Sequence, residues 1–263
     1  MKSIIKLYLI ALAVVAIGCG GNDESNEAQE RPMLEVIEDF RNLSINSGAN
    51  DFVMESTFKD VYWKFRIVLP ADASESNKRP LIVRMHGAAG TIDSDYHKYT
   101  ECLTEPGFES LNPIILSVNS DGFIWNDIPN QNKILTLTDL VKTNLPVDQN
   151  KVVVTGYSDG GNGSWFFAQY YPEYFSAAIP VASSYNTQRP AVSAKINIPV
   201  YAIHGSEDQL FNVDITQNFV NATIAAGSDV EFVIAPGLEH FNPCDYVPYV
   251  KEAANWLETT VWK

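Results

Sequence analysis

A strand-like run that leads directly into a serine between two glycines constrains this chain more than any other feature of its sequence. Residues 152–155 are Val-Val-Val-Thr, and the motif Gly156-Tyr157-Ser158-Asp159-Gly160 follows at once. In a turn this tight, a side chain at either glycine collides with neighbouring backbone. The motif therefore predicts a strand, a strained turn and a helix, in that order. Ser158 would stand at the turn, where the start of the helix favours an anion.

The rest of the chain repeats the alternation of short apolar runs and longer amphipathic runs. This pattern predicts one α/β domain, with a mostly parallel sheet flanked by helices. Eight strands are predicted, at residues 52–58, 61–69, 81–85, 114–118, 152–155, 177–181, 200–203 and 230–234, the first two as an antiparallel pair. Helices are predicted at residues 134–144, 160–171, 215–226 and 247–261, with a further amphipathic helix at residues 34–43.

The amino-terminal end resembles a bacterial lipoprotein leader. Lys2 and Lys6 are followed by an apolar run shorter than the ~20 residues of a membrane-spanning helix. The run ends at Ala16-Ile17-Gly18-Cys19, which resembles a lipobox, so residues 1–18 are predicted to be a signal peptide and Cys19 the lipidation site. Ordinary secretion without lipidation is the alternative.

The segment after the predicted lipidation site has almost nothing apolar to bury. Residues 19–32 are therefore predicted to be a disordered tether, and residues 33–263 the folded domain. By resemblance to lipoprotein sorting, Gly20 beside the cysteine favours the outer membrane, on its periplasmic or its surface face.

The charge balance limits the partners of this chain. It has 18 Lys and Arg against 32 Asp and Glu, a formal net charge of −14. This excess of acid argues against binding nucleic acid and against docking onto anionic lipid, so membrane contact is expected only through Cys19. A neutral, small or glycan substrate fits best, and the sequence makes no prediction of oligomeric state.

Two loops are candidates for stabilising an oxyanion beside Ser158. His86-Gly87-Ala88-Ala89-Gly90 follows the third predicted strand and is similar to the H-G-x-x-G loop of many hydrolases. We predict that the N–H groups of Ala88 and Asp159 face the position where negative charge grows. His86 is expected to brace this loop rather than to take part in chemistry.

A carboxylate and a histidine follow the last two predicted strands. Asp208, in His204-Gly205-Ser206-Glu207-Asp208, is the predicted acid of a triad, with Glu207 as its nearest rival and Asp214 as a more remote one. His240 follows the eighth predicted strand and is the predicted base. Of the other three histidines, two lie in His-Gly turns, and His97 is expected to be a solvated surface residue.

The order Ser158, Asp208, His240, together with the His86 loop, resembles the α/β-hydrolase superfamily from about residue 80 onward. Within it, the sequence looks most like secreted esterases of the feruloyl esterase and polyhydroxybutyrate-depolymerase-like group. The resemblance implies the α/β-hydrolase fold and a serine esterase that works through an acyl-enzyme, without metal or cofactor. The substrates it implies are acyl esters of polysaccharides or short-chain esters.

Four further residues carry weaker predictions. Trp125, after the fourth predicted strand, is a candidate for stacking on substrate, with core packing as the alternative. The sequence leaves open whether Cys102 and Cys244 form a disulfide or remain two buried thiols, because their spacing alone does not give the distance between them. Asp159 carries an acid where many relatives carry Met, Gln or Ala, and its carboxylate is expected to turn away from the oxyanion.

Two other functions compete with the esterase. A peptidase of similar fold would need a peptide pocket and often an extra domain, for which the chain is short. A lipoprotein that keeps the fold but only binds a glycan or a protein would have no need for Ser158, Asp208 and His240 together. Labelling by a serine-directed phosphonate separates an enzyme from such a binder.

Overall fold

A computed structural model describes residues 29–89, 94–120, 122, 124–188 and 194–263. The predicted signal peptide, Cys19 and most of the predicted tether lie outside these residues. The strands are β1 Gly48–Glu55, β2 Tyr62–Leu69, β3 Arg79–Met85, β4 Ile114–Val118, β5 Val147–Tyr157, β6 Ala177–Val181, β7 Val200–Gly205 and β8 Val230–Ala235. The helices are α1 Met33–Arg41, α2 Thr104–Gly107, α3 Ile128–Asn144, α4 Asp159–Tyr170, α5 Val213–Ala225 and α6 Val247–Trp256, and a π-helical turn, Leu257–Val261, follows α6.

All eight strands form one sheet, in the order β1-β2-β4-β3-β5-β6-β7-β8. β2 runs antiparallel to β1 and to β4, and every other neighbouring pair is parallel. This is the α/β-hydrolase fold that the sequence predicts. The first strand begins earlier than the predicted residues 52–58, because Ala49 and Asn50 pair with Val68 and Ile67. It also ends earlier, at Glu55.

The sheet separates two hydrophobic cores. Along β3, Leu81, Val83 and Met85 enter the core that α1, α3 and α4 cover, and Ile82 enters the core beneath α2 and α6. This alternation is the two-residue period of a strand that is buried on both faces. In the described part of the chain, none of the helices is long and apolar enough to cross a bilayer.

Residues 29–32 correct the prediction that the tether extends to residue 32. Glu30 forms an antiparallel bridge with Phe58, and the guanidinium of Arg31 donates to Asp39 Oδ2 at 2.6 Å and to the carbonyl oxygen of Ser56 at 2.9 Å. The partners of Arg31 lie 8 and 25 residues along the chain. Local composition therefore gives no sign that this segment is ordered.

Candidate active site

The tight turn between β5 and α4 holds Ser158 in a strained conformation. Its φ of 57° and ψ of −119° are rare for a residue with a side chain. A Cβ on Gly156 would lie 2.3 Å from the carbonyl oxygen of Gly160, and one on Gly160 would lie 2.2 Å from that of Met85. Both glycines are therefore required by close backbone approach, as the motif predicts.

A continuous chain of hydrogen bonds joins Ser158 to His240 and Asp208. Ser158 Oγ lies 2.8 Å from His240 Nε2, and His240 Nδ1 lies 2.8 Å from Asp208 Oδ2. The other carboxylate oxygen, Asp208 Oδ1, accepts the N–H groups of Leu210 at 2.9 Å and Phe211 at 2.7 Å. A carboxylate at Nδ1 fixes the tautomer that carries its proton there, so Nε2 is left to accept the Ser158 hydroxyl.

Two adjacent strand ends deliver the acid and the base. β7 and β8 are parallel and end together, with Gly205 opposite Ala235. A Cβ on Gly205 would lie 2.2 Å from the carbonyl oxygen of Leu238, so the loops after the two strands are in direct backbone contact. The N–H of His240 also donates to Gln209 Oε1 at 3.2 Å. Nothing in the sequence pointed to this contact of Gln209.

The structure distinguishes Asp208 from the other acids that the sequence offered. Asp208 is buried, whereas Glu207 and Asp214 are both exposed. Asp214 lies in the first turn of α5. The carboxylate that accepts the hydrogen bond of His240 Nδ1–H is therefore that of Asp208.

The loop after β3 lies directly against Ser158. A Cβ on Gly87 would lie 3.4 Å from Ser158 Cβ, and the next residue, Ala88, is exposed. Asp159 is the first residue of α4. Both predicted oxyanion donors therefore lie in segments that adjoin Ser158.

His86 braces this loop through both ring nitrogens. Its Nδ1 lies 2.6 Å from the carbonyl oxygen of Gly87, and its Nε2 accepts the N–H of Ser120 at 3.0 Å. These contacts need the neutral ring with its proton on Nδ1. Burial lowers the pKa of His86 to about 3, so the ring stays neutral at ordinary pH.

Asp159 lines a cleft of about 300 Å³ whose wall contains both polar and apolar side chains. The amide side chains of Asn126, Asn162 and Asn186 also line this cleft. Burial raises the pKa of the Asp159 carboxyl. Glu239, which precedes His240, is exposed.

The structure corrects the prediction for Trp125. The side chain is 1% exposed, and its Nε1–H donates to the carbonyl oxygen of His86 at 2.9 Å. Its ring meets the His86 ring edge-on, with centroids 5.0 Å apart. Trp125 therefore supports the loop after β3 from within the core and is not free to stack on a substrate.

His97 is also not the solvated residue that we expected. It is 2% exposed, and its Nδ1 lies 3.2 Å from Asn119 Oδ1. Its neighbours Asp95 and Tyr96 are exposed, whereas its own ring turns to a residue at the end of β4. Burial lowers the pKa of His97.

A disulfide joins Cys102 to Cys244. Cys102 follows the loop after β3, and Cys244 lies four residues beyond His240. The bond therefore ties the segment beyond the predicted oxyanion loop to the segment that carries the histidine. Of the two alternatives that the sequence left open, the structure contains the disulfide.

Sequence comparison places this geometry in a known family. The sequence model of the dienelactone hydrolase family matches residues 67–262. Candidate carboxymethylenebutenolidases of Salmonella typhimurium and Methylorubrum extorquens are 23% and 27% identical to the chain over 125 residues. The matches cover 44% of this chain, and 46% and 43% of those proteins. They therefore span less than half the length of these curated relatives.

Solved structures share the fold. A thermostable esterase superposes with a TM-score of 0.65 at 20% identity, covering 85% of this chain and 63% of the esterase. The S-formylglutathione hydrolase of Staphylococcus aureus superposes with a TM-score of 0.61 at 16% identity, covering 82% of this chain and 98% of that hydrolase. The narrower resemblance to feruloyl esterases stays a prediction. Because the family match runs from β2 to the end of the last helical turn, this chain belongs to the dienelactone hydrolase family.

Proposed function

We propose that this protein is a serine hydrolase of carboxylic esters. The observation that carries the proposal is the hydrogen-bonded chain Asp208, His240, Ser158, which ends at a serine held by a strained turn. A binding protein has no need of this arrangement. The carboxylate orients the histidine, and the histidine can take the serine proton.

The reaction follows from the positions of the three side chains. His240 Nε2 removes the proton of Ser158 as Oγ attacks the carbonyl carbon of the ester. The tetrahedral oxyanion accepts hydrogen bonds from the N–H groups of Ala88 and Asp159. The C–O bond to the alcohol then breaks, and the protonated His240 gives its proton to the departing oxygen, which leaves an acyl-enzyme.

Water completes the cycle through the same groups. His240 deprotonates a water molecule that attacks the acyl carbon, and the bond to Ser158 Oγ breaks as His240 returns the proton. The acid is released and the hydroxyl of Ser158 is restored. Asp208 remains ionised throughout and stabilises the imidazolium that forms in each half of the cycle.

The proposed substrates are acyl esters of polysaccharides or short-chain esters. The net charge of −14 favours a neutral substrate. The curated relatives are named for a butenolide, which is a cyclic ester. Opening such a ring needs the same attack, oxyanion and proton transfers, so the family is consistent with ester hydrolysis by this chain.

Release of p-nitrophenol from acetate and butyrate esters tests the proposal, with Ser158→Ala as the control. We expect turnover by the wild type and its loss in the variant, with little change in thermal stability. An alkyl phosphonate should label the wild type at Ser158 and leave the variant unlabelled. A folded wild type that neither turns over any ester nor takes the label would be the non-catalytic binder.

We also propose that Cys19 carries a lipid anchor that holds the protein at the bacterial outer membrane. The leader-like residues 1–18 and the lipobox-like segment that ends at Cys19 support this. Metabolic labelling with a radioactive fatty acid should mark the wild type and not Cys19→Ser. An unlabelled wild type found in the medium would favour ordinary secretion.

A further inference from the structure

A cavity of about 380 Å³ lies beside the loop after β3, on the side of the sheet that α2 and α6 cover. We name it the acyl cavity. Most of its lining is apolar or aromatic, including Leu103, Phe108, Val181 and Val250. Protein interiors are close-packed and contain few voids larger than a water molecule. A space of this size and lining therefore suits an apolar ligand.

The cavity reaches the reacting centre through the predicted oxyanion loop. Gly87 and Ala88 line it, and so does Tyr157, the residue before the nucleophile. The position of a Cβ on Gly87, 3.4 Å from Ser158 Cβ, shows how close this wall is to the serine. Neither Ser158 nor His240 is among the residues that line it, so the cavity adjoins the serine along the loop after β3.

These neighbours indicate which part of an ester the cavity holds. The leaving alcohol must lie near His240 Nε2, because it takes its proton there. The carbonyl oxygen must lie near Ala88, and the substituent on the carbonyl carbon stays with the enzyme in the intermediate. A cavity that adjoins Ala88 and lacks His240 therefore fits the acyl side of the substrate.

Two polar side chains in the wall, Arg84 and Thr155, are engaged by the protein, whereas the hydroxyl of Tyr157 has no hydrogen-bond partner among the described residues. Arg84 donates from Nη1 to the carbonyl oxygen of Tyr96 at 2.7 Å and from Nη2 to that of Tyr99 at 3.0 Å. The hydroxyl of Thr155 donates to the carbonyl oxygen of Ile179 at 2.6 Å. The surface left for a ligand is then mainly apolar, which favours a neutral chain over a charged one.

We propose that the acyl cavity, whose wall includes Leu103, binds an unbranched, neutral acyl chain of medium length. The proposal rests on the proposed ester hydrolysis and adds its acyl specificity. A cavity of about 380 Å³ lies within the size range of sites that hold small organic ligands. An acyl group of eight carbons should therefore fit.

The test compares p-nitrophenyl octanoate with p-nitrophenyl acetate, using the full-length protein. In the wild type, kcat/KM should be higher for octanoate. In Leu103→Trp, which fills the cavity, the ratio of octanoate to acetate should fall at least about tenfold, because pocket contacts discriminate by such factors. Leu103→Ala should move the preference toward longer chains. This variant provides a second test if the Leu103→Trp protein does not fold.

Leu34→Trp is the matched control, because Leu34 is 74% exposed on α1. It should keep the wild-type ratio. Unchanged ratios in both folded Leu103 variants would overturn the proposal. A preference for an acyl chain that ends in a carboxylate would also overturn the proposal, if the Arg84→Gln substitution abolishes that preference.

Binding of 1-octanol, measured by calorimetry, separates this proposal from the proposed function. Wild type and Ser158→Ala should both bind the alcohol, and Leu103→Trp should bind it at least about tenfold more weakly. If no ester is turned over and this pattern of binding holds, the cavity assignment stands and the esterase proposal fails. If esters are turned over and octanol does not bind, the cavity assignment fails alone.

Discussion

Replacing Asp208 by asparagine should change the tautomer of His240. Asp208 Oδ1 accepts two backbone N–H groups, from Leu210 and Phe211, so the amide oxygen of asparagine should take that position. The amide nitrogen then occupies the position of Oδ2, 2.8 Å from His240 Nδ1, and it can only donate. His240 must accept at Nδ1 and carry its proton on Nε2, where it can no longer take the proton of Ser158.

The expected loss is a factor of about 10⁴ in kcat/KM, or about 5 kcal/mol of transition-state stabilisation, by analogy with the same exchange in serine proteases. The assay is p-nitrophenyl acetate hydrolysis beside phosphonate labelling of Ser158. Both rates should fall together, because each needs the activated hydroxyl. Thermal unfolding shows whether the variant keeps its fold. A folded Asp208→Asn protein that retains more than about a tenth of the activity would contradict this assignment of the acid.

Three other changes should show their effects in stability. Gly156→Ala places a Cβ 2.3 Å from backbone and should cost at least about 3 kcal/mol in urea unfolding, whereas Gly237→Ala, with nothing within 4 Å of its Cβ, should cost about 1 kcal/mol through its positive φ. Replacing Cys102 and Cys244 by serine opens a link between residues 142 apart and should cost about 2–5 kcal/mol, and an unchanged free energy of unfolding would mean that the bond is absent in solution. The pKa of His86 falls from 6.5 to about 3 on folding, so its contribution is complete above pH 6.5 and is lost as the pH falls toward 3. Between pH 7 and pH 5 this loss is about 2 kcal/mol, and His86→Gln should make the decline in unfolding free energy smaller by that amount.

The parts of the fold that local patterns specify were predicted with good accuracy. β4 and β6 have the predicted bounds, because all five residues of each are buried and, apart from Ser117, apolar. β5 begins at Val147, five residues before its apolar run. Its first half is polar and more exposed, and only the pairing of Val147 with Arg79 on β3 identifies it as strand. Burial gives a sequence signal, whereas pairing with a distant strand does not.

The same distinction applies to the side chains of the site. Ser158, Asp208 and His240 were predicted because each follows a strand that has its own pattern, and parallel strands bring their carboxyl ends to one edge. Trp125 and His97 were misjudged because their partners, His86 and Asn119, lie 39 and 22 residues away. No property of the residues next to them in the chain shows which way their rings turn.

The histidines show how the fold selects one base from four identical rings. Both ring nitrogens of His86 form hydrogen bonds with backbone groups, and His204 Nε2 donates to the carbonyl oxygen of Phe211 at 2.8 Å. Burial lowers the pKa of both rings, and of His97, which favours the neutral form of each. His240 alone has a carboxylate at one nitrogen and a serine hydroxyl at the other. The chemistry therefore depends less on the presence of a histidine than on which of its neighbours leave a nitrogen free to accept a proton.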